Sequence, residues 1–136
     1  PAYWEFIKEI RGKLSIPVVA NGEIWTADDI ETCMIRANTD LIMLGRGALA
    51  TPNLANVALG NEKAMTWHQV CELIKRWILM DTGSQKPFYY SSRLKQWYRY
   101  LKLQFTEADA LFSEIKTLQE KDEVLSVIEA HLAKAL

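Results

Sequence analysis

Two short apolar runs, Ile16-Pro-Val-Val-Ala20 and Leu41-Ile-Met-Leu44, are each stopped by a polar stretch that carries glycine. No other feature of this 136-residue chain limits its folding choices as tightly. Four or five successive apolar residues are too few for a helix. They also lack the alternation of a strand with one wet face, so each reads as a strand covered on both sides, as in a parallel sheet. Between them the pattern is helical. Thr26 is a good N-cap, Asp28 and Asp29 fall in the first turn, and Ile30, Cys33, Met34 and Ala37 recur at core-facing spacing. The order is strand, Asn21-Gly22-Glu23 turn, helix, strand, Gly45-Arg46-Gly47 turn, helix: two βα units. In such folds the chemistry sits at the carboxyl ends of the strands, which is where both turns lie.

The turns have a physical use. Gly22 and Gly45 permit positive φ and let backbone approach a ligand closely. Backbone N–H groups at the start of a following helix can hold an anion, and Arg46 can add a charge-assisted bond to phosphate. An Asn-Gly pair by itself is an ordinary turn. Two glycine turns at this spacing, each at a strand end, favour a phosphate site.

Around this unit the remaining elements follow from pattern. Residues 3–14 place Trp4, Phe6, Ile7, Ile10 and Leu14 at helical spacing, with charged residues opposite. Pro52 can open a short helix over Asn53–Leu59, ended by Gly60, and the polar Asn61-Glu-Lys63 marks a domain boundary. Thr66 and Gln69 form a capping box ahead of an apolar face of Trp67, Val70, Cys71, Ile74 and Ile78. His68, in that first turn, reads as a surface residue. Asp81-Thr-Gly-Ser84 breaks the helix. Further helices are predicted over about 87–103, 107–118 and from 122 onward, the last burying Leu125, Ile128 and Leu132. Four helices with short links point to an up-and-down bundle.

Net charge is only −1, so any pull toward nucleic acid has to be local. Residues 85–104 hold Lys86, Arg93, Lys95, Arg99 and Lys102 with no acid, interleaved with Phe88, Tyr89, Tyr90, Trp97, Tyr98 and Tyr100. Residues 105–136 are acidic by contrast, with Lys116 standing among the carboxylates. Lys95, Arg99 and Lys102 share one helix face, Leu94, Trp97, Tyr98 and Leu101 form the packing stripe, and Arg93 points elsewhere. Local positive charge with aromatics suits a phosphate backbone and unstacked bases. A solvated face over core aromatics is the plainer alternative.

The stretches IPVVANGEIWTADD and DLIMLGRGALATPNL resemble the last two βα units of the tRNA-dihydrouridine synthases, flavin enzymes that reduce uridine in tRNA. Arg93-Leu-Lys-Gln-Trp-Tyr-Arg-Tyr-Leu101 further resembles the family's helical RNA-binding domain, most closely that of the bacterial C subfamily. The resemblance implies an α/β fold, the last two βα units of a TIM barrel over residues 1–62, followed by an all-α helical bundle over 63–136. It implies FMN held at Asn21, Gly22, Glu23, Gly45 and Arg46. It also implies tRNA bound through Arg93, Lys95, Arg99, Tyr100, Lys102 and Lys116, with a D-loop uridine as substrate and NADPH as the electron source.

The family's proton-donating cysteine lies on a loop earlier in the barrel. Neither Cys33 nor Cys71 matches it, since both sit at apolar helical positions and read as buried free thiols in a reducing cytoplasm. A TIM barrel takes eight strands and about 250 residues. The chain therefore reads as a C-terminal fragment of a longer enzyme, with no catalytic residue of its own and no activity alone. No apolar run approaches the roughly 20 residues of a membrane span, and no metal-ligand spacing is present. Two other readings compete: an FMN barrel acting on a small molecule, and a non-catalytic helical RNA-binding module whose βα part is structural.

Overall fold

The structure, a computed structural model, describes residues 2–80 and 88–134. The chain divides into two compact units, Pro1–Ala64 and Met65–Leu136. The expected break at Asp81-Thr-Gly-Ser84, together with Lys86 and Pro87, lies outside the described residues.

In the first unit α1 spans Trp4–Arg11, α2 Ala27–Ala37, α3 Arg46–Ala50 and α4 Leu54–Ala58. Thr26 caps α2 as its sequence predicts. Its hydroxyl accepts from the Asp29 N–H, and Asp29 Oδ2 accepts from the Thr26 and Trp25 N–H groups, each at 2.9 Å. Asn38 closes α2 in the left-handed conformation, at φ 51°, which a short polar side chain tolerates. The small core comprises Trp4, Ala20, Ile24, Cys33 and Ala37, and α1 and α4 both pack on α2.

Several expectations are corrected here. The two strands shrink to one parallel bridge between Ala20 and Ile42. Ala20 donates to the Leu41 carbonyl at 2.8 Å and accepts from the Met43 N–H at 2.9 Å. The buried Thr39 hydroxyl ties the pair lower down by donating to the Val18 carbonyl at 2.7 Å. Pro17 has no N–H with which to extend the ladder. Burial on both faces also fails: Ile16 is 65% exposed, Val19 54% and Met43 53%, because no further strand flanks the pair among the described residues. Phe6, Ile10, Leu14 and Met34 are exposed as well. Arg46 and Gly47 belong to the first turn of α3 rather than to a turn before it, and Pro52 precedes α4 without opening it.

The second unit contains α5, Trp67–Leu79; α6, Tyr89–Leu101; α7, Ala108–Ile115; and α8, Lys121–Lys134. The Thr66–Gln69 capping box at the start of α5 is present as predicted. Helix α5 packs chiefly on α8, and α6 packs on α7 and α8. Their apolar stripes close one core of Val70, Cys71, Ile74, Ile78, Tyr90, Leu94, Tyr98, Leu101, Leu111, Ile115, Val124 and Ile128. Two expectations change. His68 is half-buried, with Nε2 3.8 Å from Glu72 and Nδ1 buried and unpartnered. In α8 Val124 and Ile128 are buried, while Leu125 and Leu132 are only partly covered.

Candidate functional site

The ends of the two bridged segments converge on a cavity of about 280 Å³ lined by Asn21 to Trp25 and by Gly45, Arg46 and Gly47. The chain forms it in three steps. Gly22 at φ 119° and Glu23 at φ 48° turn the backbone away from the bridge, and the left-handed value at Glu23 is uncommon for a residue with a long side chain. The Trp4 indole N–H fixes this turn by donating to the Gly22 carbonyl at 2.9 Å. The second segment then enters α3 immediately. Here Gly47 is required: a Cβ on it would lie 2.1 Å from the Ile24 carbonyl oxygen. A Cβ on Gly45 would meet nothing within 4 Å, so its side of the turn is open.

Three side chains close on one another in this cavity. Glu23 Oε1 accepts from the Arg46 guanidinium, and Glu23 Oε2 accepts from the Trp25 indole N–H at 2.9 Å. The Arg46 guanidinium carbon lies 5.4 Å from the centre of the Trp25 ring, within range of a cation–π contact. The indole hydrogen bond and the Arg46 charge hold the Glu23 carboxyl below the usual carboxylate range. Asn21 turns its Oδ1 to the Gly22 N–H, 2.7 Å away.

The predicted residues Asn21, Gly22, Glu23, Gly45 and Arg46 thus come together. Sequence reasoning gave no role to Trp25 or to the close approach at Gly47. An indole two residues from an acid was the available signal for the first. Glycine-lined backbone with one guanidinium fits the phosphate-bearing end of a ligand. At this volume, close to the lower limit for small-molecule sites, the cavity suits one end of a phosphorylated ligand rather than a whole nucleotide.

In the second unit, the basic residues of α6 occupy different environments. Lys95 is half-buried, and its ammonium donates to the Leu118 carbonyl at 2.7 Å, tying α6 to the segment between α7 and α8. Arg99 and Lys102 are exposed, Lys102 lying 5.7 Å from the centre of the Tyr98 ring. Arg93 donates to Gln96 at 3.1 Å and lies 5.8 Å from the Tyr89 ring centre. Tyr100 is half-buried, and Lys116 is exposed just past α7. Beneath them Tyr98 stacks on Phe112 at 4.3 Å and donates to Asp109. That bond, with burial and the Asp109 charge, pushes the phenol up to about 12.

Both cysteines are free and buried. Burial raises both thiols, that of Cys71 to about 12 with a further contribution from Glu107, which removes them as ready thiolates. No cluster of potential metal ligands occurs among the described residues, and no described helix is long and apolar enough to cross a membrane.

A family model described as Dihydrouridine synthase (Dus) matches residues 1–136. The tRNA-dihydrouridine(16) synthase of Shewanella oneidensis is 42% identical over 129 residues, which is 95% of this chain and 41% of that protein. The enzyme of the same name from Vibrio cholerae is 40% identical over 122 residues, 90% of this chain and 38% of its own length. That of Escherichia coli K12 is 37% identical over 127 residues, 93% and 40% respectively. The chain spans about two fifths of the length of these relatives.

Proposed function

This chain belongs to the dihydrouridine synthase family, and on that premise we propose that the whole protein reduces a uridine of tRNA to 5,6-dihydrouridine. The uridine is that of the D-loop at position 16, the position in the names of its relatives. Among family members it groups with the bacterial C subfamily and acts in the cytoplasm, with NADPH as the electron source. When bound and reduced by NADPH, FMN would supply the hydride for the uracil C5–C6 bond. Asn21, Gly22, Glu23, Gly45 and Arg46 hold the phosphate end of FMN, and the helices of residues 65–136 bind tRNA. The proton donor and the remaining barrel lie in parts of the protein other than these residues.

The glycine-lined cavity with Arg46 at its wall is the observation that supports this reading most directly. A small-molecule FMN barrel would share that cavity but would not need the acid-free, aromatic α6. Lys95 is engaged by a backbone carbonyl, so phosphate contact falls chiefly to Arg93, Arg99 and Lys102 on α6 and to Lys116 beyond α7, with Tyr100 beside them.

The test is a double one in the whole protein. Arg46→Ala removes a charge-assisted bond worth roughly 1.5–3 kcal/mol, so the FMN dissociation constant should rise by at least tenfold. Arg99→Ala with Lys102→Ala should weaken tRNA binding and flatten its log–log salt slope by roughly 1.5–2 units. An unchanged FMN affinity would remove the cofactor assignment, and an unchanged slope would remove the RNA face.

A further inference from the structure

The contacts among Glu23, Trp25 and Arg46 form a closed triangle. Each side chain touches the other two: carboxylate to guanidinium, carboxylate to indole N–H, guanidinium to indole face. The triangle is anchored at both ends. The Trp25 N–H is held by Asp29 Oδ2 at the start of α2, and Arg46 is the first residue of α3. Glu23 reaches both partners from a left-handed backbone position, a conformation that persists only where the surroundings enforce it.

A free arginine at the edge of a cavity samples many rotamers, and fixing it on a ligand costs entropy. Here the guanidinium plane is already set on one side by the carboxylate and beneath by the indole. A guanidinium has five N–H donors. The structure commits one nitrogen, Nη2, to Glu23, while the Arg46 side chain remains 57% exposed. The remaining donors are available to a second anion. Carboxylates that orient a ligand-binding side chain from behind are a general device for precision.

We propose that Glu23 and Trp25 are positioning residues for Arg46, and that this triangle makes the site discriminate a phosphorylated flavin from its dephosphorylated form. The inference rests on the reading of this cavity as the FMN phosphate site. It assigns Trp25 a role, and it gives the Glu23 side chain the task of aiming the arginine rather than touching phosphate, which its own charge would oppose.

The experiment uses the whole protein stripped of flavin and titrated separately with FMN and riboflavin, following flavin fluorescence. Wild type should prefer FMN. Glu23→Gln keeps the shape but offers one acceptor instead of two. Trp25→Phe keeps an aromatic face but loses the indole N–H. Each should weaken FMN by roughly tenfold, the scale of one charge-assisted hydrogen bond, while riboflavin affinity stays within about twofold. Retained riboflavin binding shows that the site is folded.

Parallel loss of both flavins would mean that the triangle only braces the turn, and the proposal would fall. Tighter FMN binding by Glu23→Gln would also overturn it, making Glu23 an internal competitor for the phosphate position. Arg46→Ala separates the two layers. If it lowers the FMN-to-riboflavin preference while Glu23→Gln and Trp25→Phe do not, the phosphate site stands and the positioning role is lost. If Arg46→Ala leaves the preference intact, the phosphate reading itself fails.

Discussion

Residues 65–136 bury Ile74, Ile78, Leu94, Leu101, Leu111, Ile115 and Ile128 in one continuous core, whereas residues 2–64 bury a smaller set around Trp4, Ile24 and Cys33. The first unit also leaves Ile16, Val19, Leu41 and Met43 substantially exposed beside its single bridge. Helices satisfy their backbone internally, so four of them can close a core by presenting one stripe each. A parallel strand has no such independence. It needs a neighbour on each edge and a cover on each face, and the two segments at 16–20 and 41–44 provide only each other. The helical unit therefore depends on its packing, and the first unit depends on its turns and caps.

The largest expected effect tests that difference in packing. Leu111→Ala empties a fully buried position in the helical core and should cost about 2–5 kcal/mol. Val19→Ala, at a position already half open to solvent, should stay within about 0.5 kcal/mol. Urea melts resolved residue by residue by NMR would measure both. Equal costs would end the contrast between the units.

The next effect isolates the turns. Gly47→Ala drives a Cβ into the Ile24 backbone carbonyl, where no flexible side chain can yield, and should destabilise the first unit by about 1–3 kcal/mol. Gly45→Ala meets no neighbouring atom within 4 Å and should cost less than Gly47→Ala. A Gly47→Ala variant that melts like wild type would show that α3 can slide along the turn.

The capping boxes form an internal control, because both units carry one. Thr26→Ala and Thr66→Ala each remove a hydroxyl that accepts an N-terminal N–H of a helix, and each should cost about 1 kcal/mol. A much larger loss at Thr26 would mean that the box also supports the cavity, through Asp29 and the Trp25 N–H.

The smallest effects have opposite signs in pH. Burial would raise the Asp29 carboxyl, but hydrogen bonds from Trp25 and Thr26 outweigh it and hold its pKa below the usual value, as the Trp25 bond and Arg46 do for Glu23. For a lowered carboxyl, the stabilisation is present above the unfolded pKa of about 4 and is lost as pH falls through the folded one. Tyr98 and Cys71 are pushed up, each to about 12. Their contribution is complete below the unfolded values, about 10 and 8.5, and is lost as pH rises toward the folded ones. The first unit should thus weaken in acid through Glu23 and Asp29, while alkali should weaken the helical unit through Tyr98 and Cys71 and reach the first unit only through Cys33. Tyr98→Phe should reduce the alkaline loss, and the same NMR-resolved melts at several pH values would detect it.

Much of the organisation was written in local chemistry. Thr26 and Thr66, each followed three residues later by a residue that can reach back, mark the starts of α2 and α5. The 3.6-residue spacing of Val70, Ile74 and Ile78, or of Leu94, Tyr98 and Leu101, identifies the buried faces. The glycine turns announce where Asn21, Glu23, Gly45 and Arg46 would meet. Each signal lies within a few residues, within reach of a side chain's own backbone.

Only tertiary structure decided the rest. Apolar runs at 16–20 and 41–44 specify a preference for burial, but burial requires neighbours, and the pair obtains one rung. That Lys95 would serve a backbone carbonyl at Leu118 while Arg99 stayed exposed is set by the α6–α7 packing, to which helix periodicity is blind. The Glu23–Trp25–Arg46 triangle joins residues 23 positions apart, and no local pattern contains the distance between two turns.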